Sequence, residues 1–167
     1  MKRLAIVFFF ISGIALAQNT PAKPAANEWD VLDKAFISLI EALTKGDQAK
    51  FVAVSLSKIE CAECAEAGDY NPSAFFVPAG EYFGSIAKGF KQSALYKALA
   101  KRGYGFSSAL MKNMTVPGLK NSKEVKVYDV WVDTYLPGEL SKGHPGMRQA
   151  FRFVKVNGKF KFYGIIS

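Results

Sequence analysis

Histidine and cysteine are scarce in this chain of 167 residues, which has one histidine, His144, and two cysteines, Cys61 and Cys64. A zinc-type structural site needs four ligands, and these three residues do not supply it. No metal and no cofactor is therefore expected. His144 lies between Gly143 and Pro145, a turn composition, with no second histidine and no serine or cysteine motif beside it. A nucleophilic triad has no support, and a solvated loop histidine is the plainer reading. Phosphate-binding loops and dinucleotide fingerprints are missing, as are internal repeats and tracts rich in glycine or arginine. The 22 Lys and Arg outnumber the 14 Asp and Glu, for a formal charge of +8. The lysines are scattered through residues 88–126, as on a solvated surface, so a nucleic-acid partner is not expected.

The one long apolar run, residues 4–16, is too short and wrongly flanked for a membrane anchor. Lys2 and Arg3 precede it, and Ala15, Leu16 and Ala17 give the small-x-small form of a cleavage site. Residues 1–17 therefore read as a signal peptide cleaved after Ala17, with export to the periplasm or beyond the cell. An uncleaved anchor is the alternative, and Gly13 and the shortness of the run argue against it. No cysteine follows the cleavage site, so a lipid anchor is not indicated. Loss of Lys2 and Arg3 lowers the charge from +8 to +6. Residues 18–27, with Pro21 and Pro24, read as a flexible linker. Residues 28–167 then make one domain, long enough for a sizeable core.

Within that domain, Trp29, Leu32, Phe36, Leu39, Ile40 and Leu43 recur at helical spacing, with Asn27 as N-cap and Gly46 as stop. Asp47 opens a short second helix reaching about Ser55. Residues 57–69 resist a periodic reading. Helical turns resume at residues 78–90 and 93–101, with a break between them, and Gly103 ends them. Residues 104–111 read weakly as a strand, and residues 124–136 alternate as a clear one. The run 149–156, then Asn157 and Gly158, then 159–166 is a strong hairpin signal, because a type I′ turn needs positive φ at both central residues. That turn pairs Val156 with Lys159, Phe153 with Phe162 and Phe151 with Gly164. Phe151, Phe153, Phe160, Phe162 and Ile166 then share the face that seeks a core. Helices first and strands afterwards give an α+β fold.

A long amphipathic helix ending in Lys45, Gly46 and Asp47, several more helical turns, then a long strand and a hairpin closing on residues 158–163 resemble the superfamily of nuclear transport factor two and ketosteroid isomerase. The resemblance implies N-terminal helices packed in the concave face of a curved, mainly antiparallel sheet, a cone with a cavity between its layers. Members use such a cavity for catalysis, for ligand binding or for dimerisation, and a shared fold transmits none of these by itself. No Tyr and Asp oxyanion pair matches the isomerases here, so that activity is not carried over.

In strand 124–136, Asp129, Trp131, Asp133 and Tyr135 share one face, and Tyr128, Val130 and Val132 share the other. Both faces are mixed, which leaves open the one that points inward. Asp129 or Asp133 in an apolar pocket would have the raised pKa of a general base. Four residues apart, they lie about 13 Å from each other and cannot work as one acid pair. The plainer reading has them facing water or pairing with Arg152 and Lys161. Cys61 and Cys64 are expected to form a disulfide, since an exported chain meets an oxidising medium. The neighbouring Glu60, Glu63 and Glu66 disfavour a reactive thiolate. The expected function is binding of a small apolar molecule or a protein partner in a concave pocket, without catalysis, lined by Trp131, Tyr135, Phe151, Phe153, Phe160 and Phe162. The alternatives are an isomerase or hydratase using a pocket aspartate as base, and a structural module dimerising through its open sheet face.

Overall fold

The computed structural model describes residues 27–61, 64, 75–119 and 123–167. The expected signal peptide, most of the linker and much of the stretch 57–69 lie outside them. Helix α1 (Glu28–Lys45) begins where the Asn27 side chain accepts from the Trp29 amide and ends at Gly46, whose φ of 70° is the left-handed stop. The Asp47 carboxylate accepts from the Lys50 amide at 2.9 Å and starts α2 (Gln48–Val54). After strands β1 (Ser55–Glu60) and β2 (Phe76–Pro78) come α3 (Ala79–Ile86), a 3₁₀ turn (Ala87–Gln92) and α4 (Ala94–Arg102). Ser93 caps α4 through its hydroxyl, which accepts from the Tyr96 amide at 3.1 Å. Strands β3 (Gly105–Lys112), β4 (Glu124–Tyr135), β5 (Met147–Val156) and β6 (Lys159–Ile166) complete the chain.

The six strands form one sheet in the order β2-β1-β6-β5-β4-β3. Every pairing is antiparallel except β1 with β6. The fold is α+β, with helices packed on one face of a curved, unclosed sheet. The helix-facing side of that sheet carries Tyr128, Val130 and Val132 from β4, Phe151 and Phe153 from β5, and Phe160 and Phe162 from β6. Leu32, Phe36, Leu39 and Leu43 of α1, Phe51 of α2, and Tyr82, Phe83 and Phe90 meet them. Each fully buried side chain of this kind contributes roughly 1.5–3 kcal/mol. A second, smaller cluster lies on the opposite side of the sheet. There Val125, Val127, Val154 and Tyr163 are covered by Met114, Val116 and Leu119 from the β3–β4 connection.

Val156 pairs with Lys159, and Phe153 with Phe162, around Asn157 and Gly158, whose φ values of 50° and 76° suit a type I′ turn. The pairing of Phe151 with Gly164 does not occur. A bulge adds Tyr163 between the pairs Phe153–Phe162 and Arg152–Gly164, so Phe151 faces Ile165. Ile165, not Ile166, therefore packs on the core. Strand β1 passes close to the bulge. A Cβ on Gly164 would stand 2.8 Å from the Glu60 carbonyl oxygen, so only glycine allows the two backbones to approach there. Ser55, expected at the end of the second helix, instead begins β1, because the parallel partner that makes it a strand lies more than 100 residues away.

Candidate functional site

The phase of β4 decides what its aspartates can do. Tyr128, Val130 and Val132 turn to the helices, so Asp129, Trp131 and Asp133 turn to the opposite face. Asp129 is buried there, and both of its carboxylate oxygens accept from Arg152, at 2.8 and 3.0 Å. A bidentate fork of this kind occupies the carboxylate and fixes its plane. Glu60 stands near the same guanidinium. Burial raises its pKa, and the charge of Arg152 opposes that rise. Asp133 pairs with Arg148 at 2.8 Å at an exposed position. The Trp131 indole nitrogen donates to the Ser107 hydroxyl at 2.8 Å, and the Arg148 guanidinium covers its ring at 5.1 Å. Trp131 is thus separated by the sheet from the phenylalanines expected to share a pocket with it.

Those phenylalanines are packed together. Phe162 has ring centroids of Phe51, Phe153, Tyr82 and Phe151 within 5.8–6.3 Å. Phe36 and Phe90 close on Phe151 from the helices, and Tyr128 meets Phe160 edge-on at 4.8 Å. Phe151, Phe153 and Phe162 have no exposed surface, and Phe160 is 5 % exposed. At these residues aromatic rings fill the space between the layers.

Open space lies instead at the end of the two layers, where α4 packs on β4. A groove of about 550 Å³ runs between Ala94, Ala98, Lys97, Lys101 and Arg102 on one side and Thr134, Tyr135 and Glu139 on the other, with Gln92 at one end. Positions 94, 98 and 101 fall on one stripe of α4, and the two alanines leave room between helix and sheet. Arg102 forms the back wall. It donates to the carbonyl oxygens of Asp133 and Thr134 at 2.8 and 3.0 Å and to both carboxylate oxygens of Glu139. The Leu136 amide, then Arg102, hold the Glu139 pKa below the ordinary value, and the Lys101 charge acts in the same direction. A second groove of about 280 Å³ shares Gln92 with the first and is lined by Lys45, Lys88 and Lys91; Lys45 stands 3.9 Å from the Glu41 carboxylate. Among the described residues no carboxylate forms an ion pair with Lys88, Lys91 or Lys97. Both grooves are lined by several cationic side chains.

Of the residues expected to line a pocket, Tyr135 reaches this groove, and Trp131 and the four phenylalanines do not. Sequence reasoning missed Lys97, Lys101 and Arg102. The available signal was the spacing of Ala94 and Ala98, small residues on a helix face that meets a sheet. Cys61 and Cys64 form a disulfide beside β1. No cluster of three or more metal-ligating side chains occurs among the described residues, and none of their helices is long and apolar enough to cross a membrane.

No family model matches this chain, and no curated protein matches it. Solved structures do share its general architecture. One is a protein named Rd1NTF2_05 bearing five substitutions, with 17 % identity over 83 % of this chain and 97 % of its own, at a TM-score of 0.36. Another is Aln2 from a Streptomyces species, at 11 % identity over 86 % and 90 % of the two chains and a TM-score of 0.37. A third, assigned as a dehydratase of the NTF2-like family from Streptomyces avermitilis, has 11 % identity over 82 % and 92 %, at 0.33. At such scores these likenesses carry no argument about chemistry, and the α+β layering described above rests on this chain's own strand order and packing.

Proposed function

We propose that this chain is an exported, non-catalytic binding domain whose ligand is an amphipathic anion held in the α4–β4 groove. The observation that carries the reading is the groove itself, which Lys97 and Lys101 line together with Ala94, Ala98 and Tyr135, with Glu139 already tied to Arg102. A volume of about 550 Å³ is within the range of small-molecule sites. An acid head meets the lysines, and a short apolar body lies along the alanines and the tyrosine ring. Lys97 has no ion-pair partner among the described residues, and an acid head would supply one, so the apolar ligand expected from the sequence is replaced here by an anion with an apolar body. Catalysis by Asp129 or Asp133 finds no support in the geometry, because each carboxylate is engaged by an arginine on the face away from the groove. Export is part of the proposal, supported by the sequence of residues 1–17 and by the Cys61–Cys64 disulfide.

Calorimetric titration with decanoate tests the reading, with decyltrimethylammonium as the control of opposite charge. Saturable binding of decanoate alone is expected. The double variant Lys97→Glu and Lys101→Glu replaces two attractions with two repulsions and weakens binding about tenfold. Equal binding of both probes, or decanoate binding unchanged in the double variant, refutes the proposal.

A further inference from the structure

The two edges of the sheet are treated differently. On one side β2 is three residues long and ends in Pro78, which cannot donate to a further strand. On the other side β3 runs eight residues from Gly105 to Lys112 in unbroken register with β4, without a bulge or a proline, and Lys112 at its end is its one charged residue. Every residue of β3 is exposed, and among the described residues no strand lies beyond it. Four of the ten exposed large apolar side chains are concentrated at this edge: Tyr104, Phe106, Leu110 and Met111, with Leu110 65 % exposed. An edge this long, with its single charge at one end, is a template for another strand.

We infer that the outer edge of β3 pairs antiparallel with β3 of a second copy of this chain, about a two-fold axis through Ser108. The sequence of the strand selects both the occupant and the register. Side chains keep to their own face only when paired positions are an even number apart. Two registers that keep the faces share the longest overlap of the strand, seven residues: 106–112 centred on Ala109, and 105–111 centred on Ser108, which the side chains favour. The Ser108 register sets Phe106 of each copy against Leu110 of the other, on the helix side of the sheet. Phe106 is already fixed there by Trp29, whose ring stacks on it at 5.9 Å, and by Tyr104 at 5.6 Å. Lys112 meets Tyr104 of the second copy, so no two cations are opposed although the chain is basic. A register centred on Ala109 would oppose Phe106 to Lys112, and one centred on Ser107 would oppose Phe106 to Ser108. The strand is thus complementary to itself in one register, with apolar pairs on both sides of the axis.

Sedimentation of the purified chain, combined with single-cysteine crosslinking under mild oxidation, tests the inference. Paired antiparallel residues have Cα atoms about 4.5–5.5 Å apart, within disulfide range. Ser108→Cys therefore crosslinks two copies to a species of twice the mass. Leu110→Cys places its thiols about 13 Å apart along the strands and does not. Unmodified protein is expected to sediment as a dimer, and Ser108→Asp, which opposes like charges on the axis, as a folded monomer. Mixing Ser108→Asp with Ser108→Lys is expected to restore the dimer. A monomer at every concentration overturns the inference and leaves the edge to a strand of another protein. A dimer that Leu110→Cys crosslinks and Ser108→Cys does not overturns it as well, since the contact then lies elsewhere.

Discussion

Truncating Phe162 to alanine asks whether the space between helices and sheet is full. The side chain has no exposed surface and is ringed by Phe51, Tyr82, Phe151 and Phe153. These neighbours come from α2, α3 and β5, so no one element can slide inward to refill the site. The expected cost is near the upper part of the Phe→Ala range of 3–5 kcal/mol, about 4 kcal/mol. For a chain of this size that corresponds to a fall in Tm of roughly 8–16 °C. Urea unfolding followed by circular dichroism measures the loss, with the slope on denaturant unchanged. Leu136→Ala, at an exposed position, is the control and shifts stability by no more than ~0.5 kcal/mol. A loss below ~1 kcal/mol for Phe162→Ala would mean that the ring borders empty space, and the filled core would be refuted.

Three further expectations are independent of that one. Lys155, Tyr128 and Lys126 all donate to Glu28 and hold its carboxyl down at about 2, from an ordinary 4.5. A depressed carboxylate stabilises the fold fully above the unfolded value and loses that contribution as pH falls through the folded one. Stability of the native chain should therefore fall between about pH 5 and pH 2, and Glu28→Gln should flatten that part of the profile in urea melts. Arg152→Ala leaves Asp129 buried without its partner and should cost ~3–5 kcal/mol, whereas replacing both with leucine and methionine should cost much less; a double-mutant cycle in urea separates the two outcomes. Gly164→Ala forces its Cβ against the Glu60 backbone and should cost ~1–3 kcal/mol with faster amide exchange in β1; unaltered exchange would show that β1 does not press on β6 there.

The local part of this fold was legible in the sequence. Helix α1 has its stripe, its cap and its stop within 20 residues, and the final turn is written in Asn157 and Gly158. What could not be read depends on distant chain. Strand β1 owes its state to a parallel partner more than 100 residues on, and the close approach of Glu60 to Gly164 beside the bulge is likewise a contact between distant segments. The inward face of β4 was ambiguous because both of its faces carry apolar residues. The structure shows why: the outer face has its own small core under Val116, and the charged pair Asp129–Arg152 is buried beside it. The cationic groove was hidden for a related reason. Its lysines look like any solvated helix face until α4 is laid on the end of β4.

The sealed interior and the open groove are separated most directly by mapping amide and aromatic resonances during a decanoate titration. With the ligand in the α4–β4 groove, shifts gather at residues 94–102 and 134–139 while the ring signals of Phe51, Phe151 and Phe162 stay in place. Movement centred on those rings, with α4 and Tyr135 silent, would put the ligand between the layers and contradict that placement.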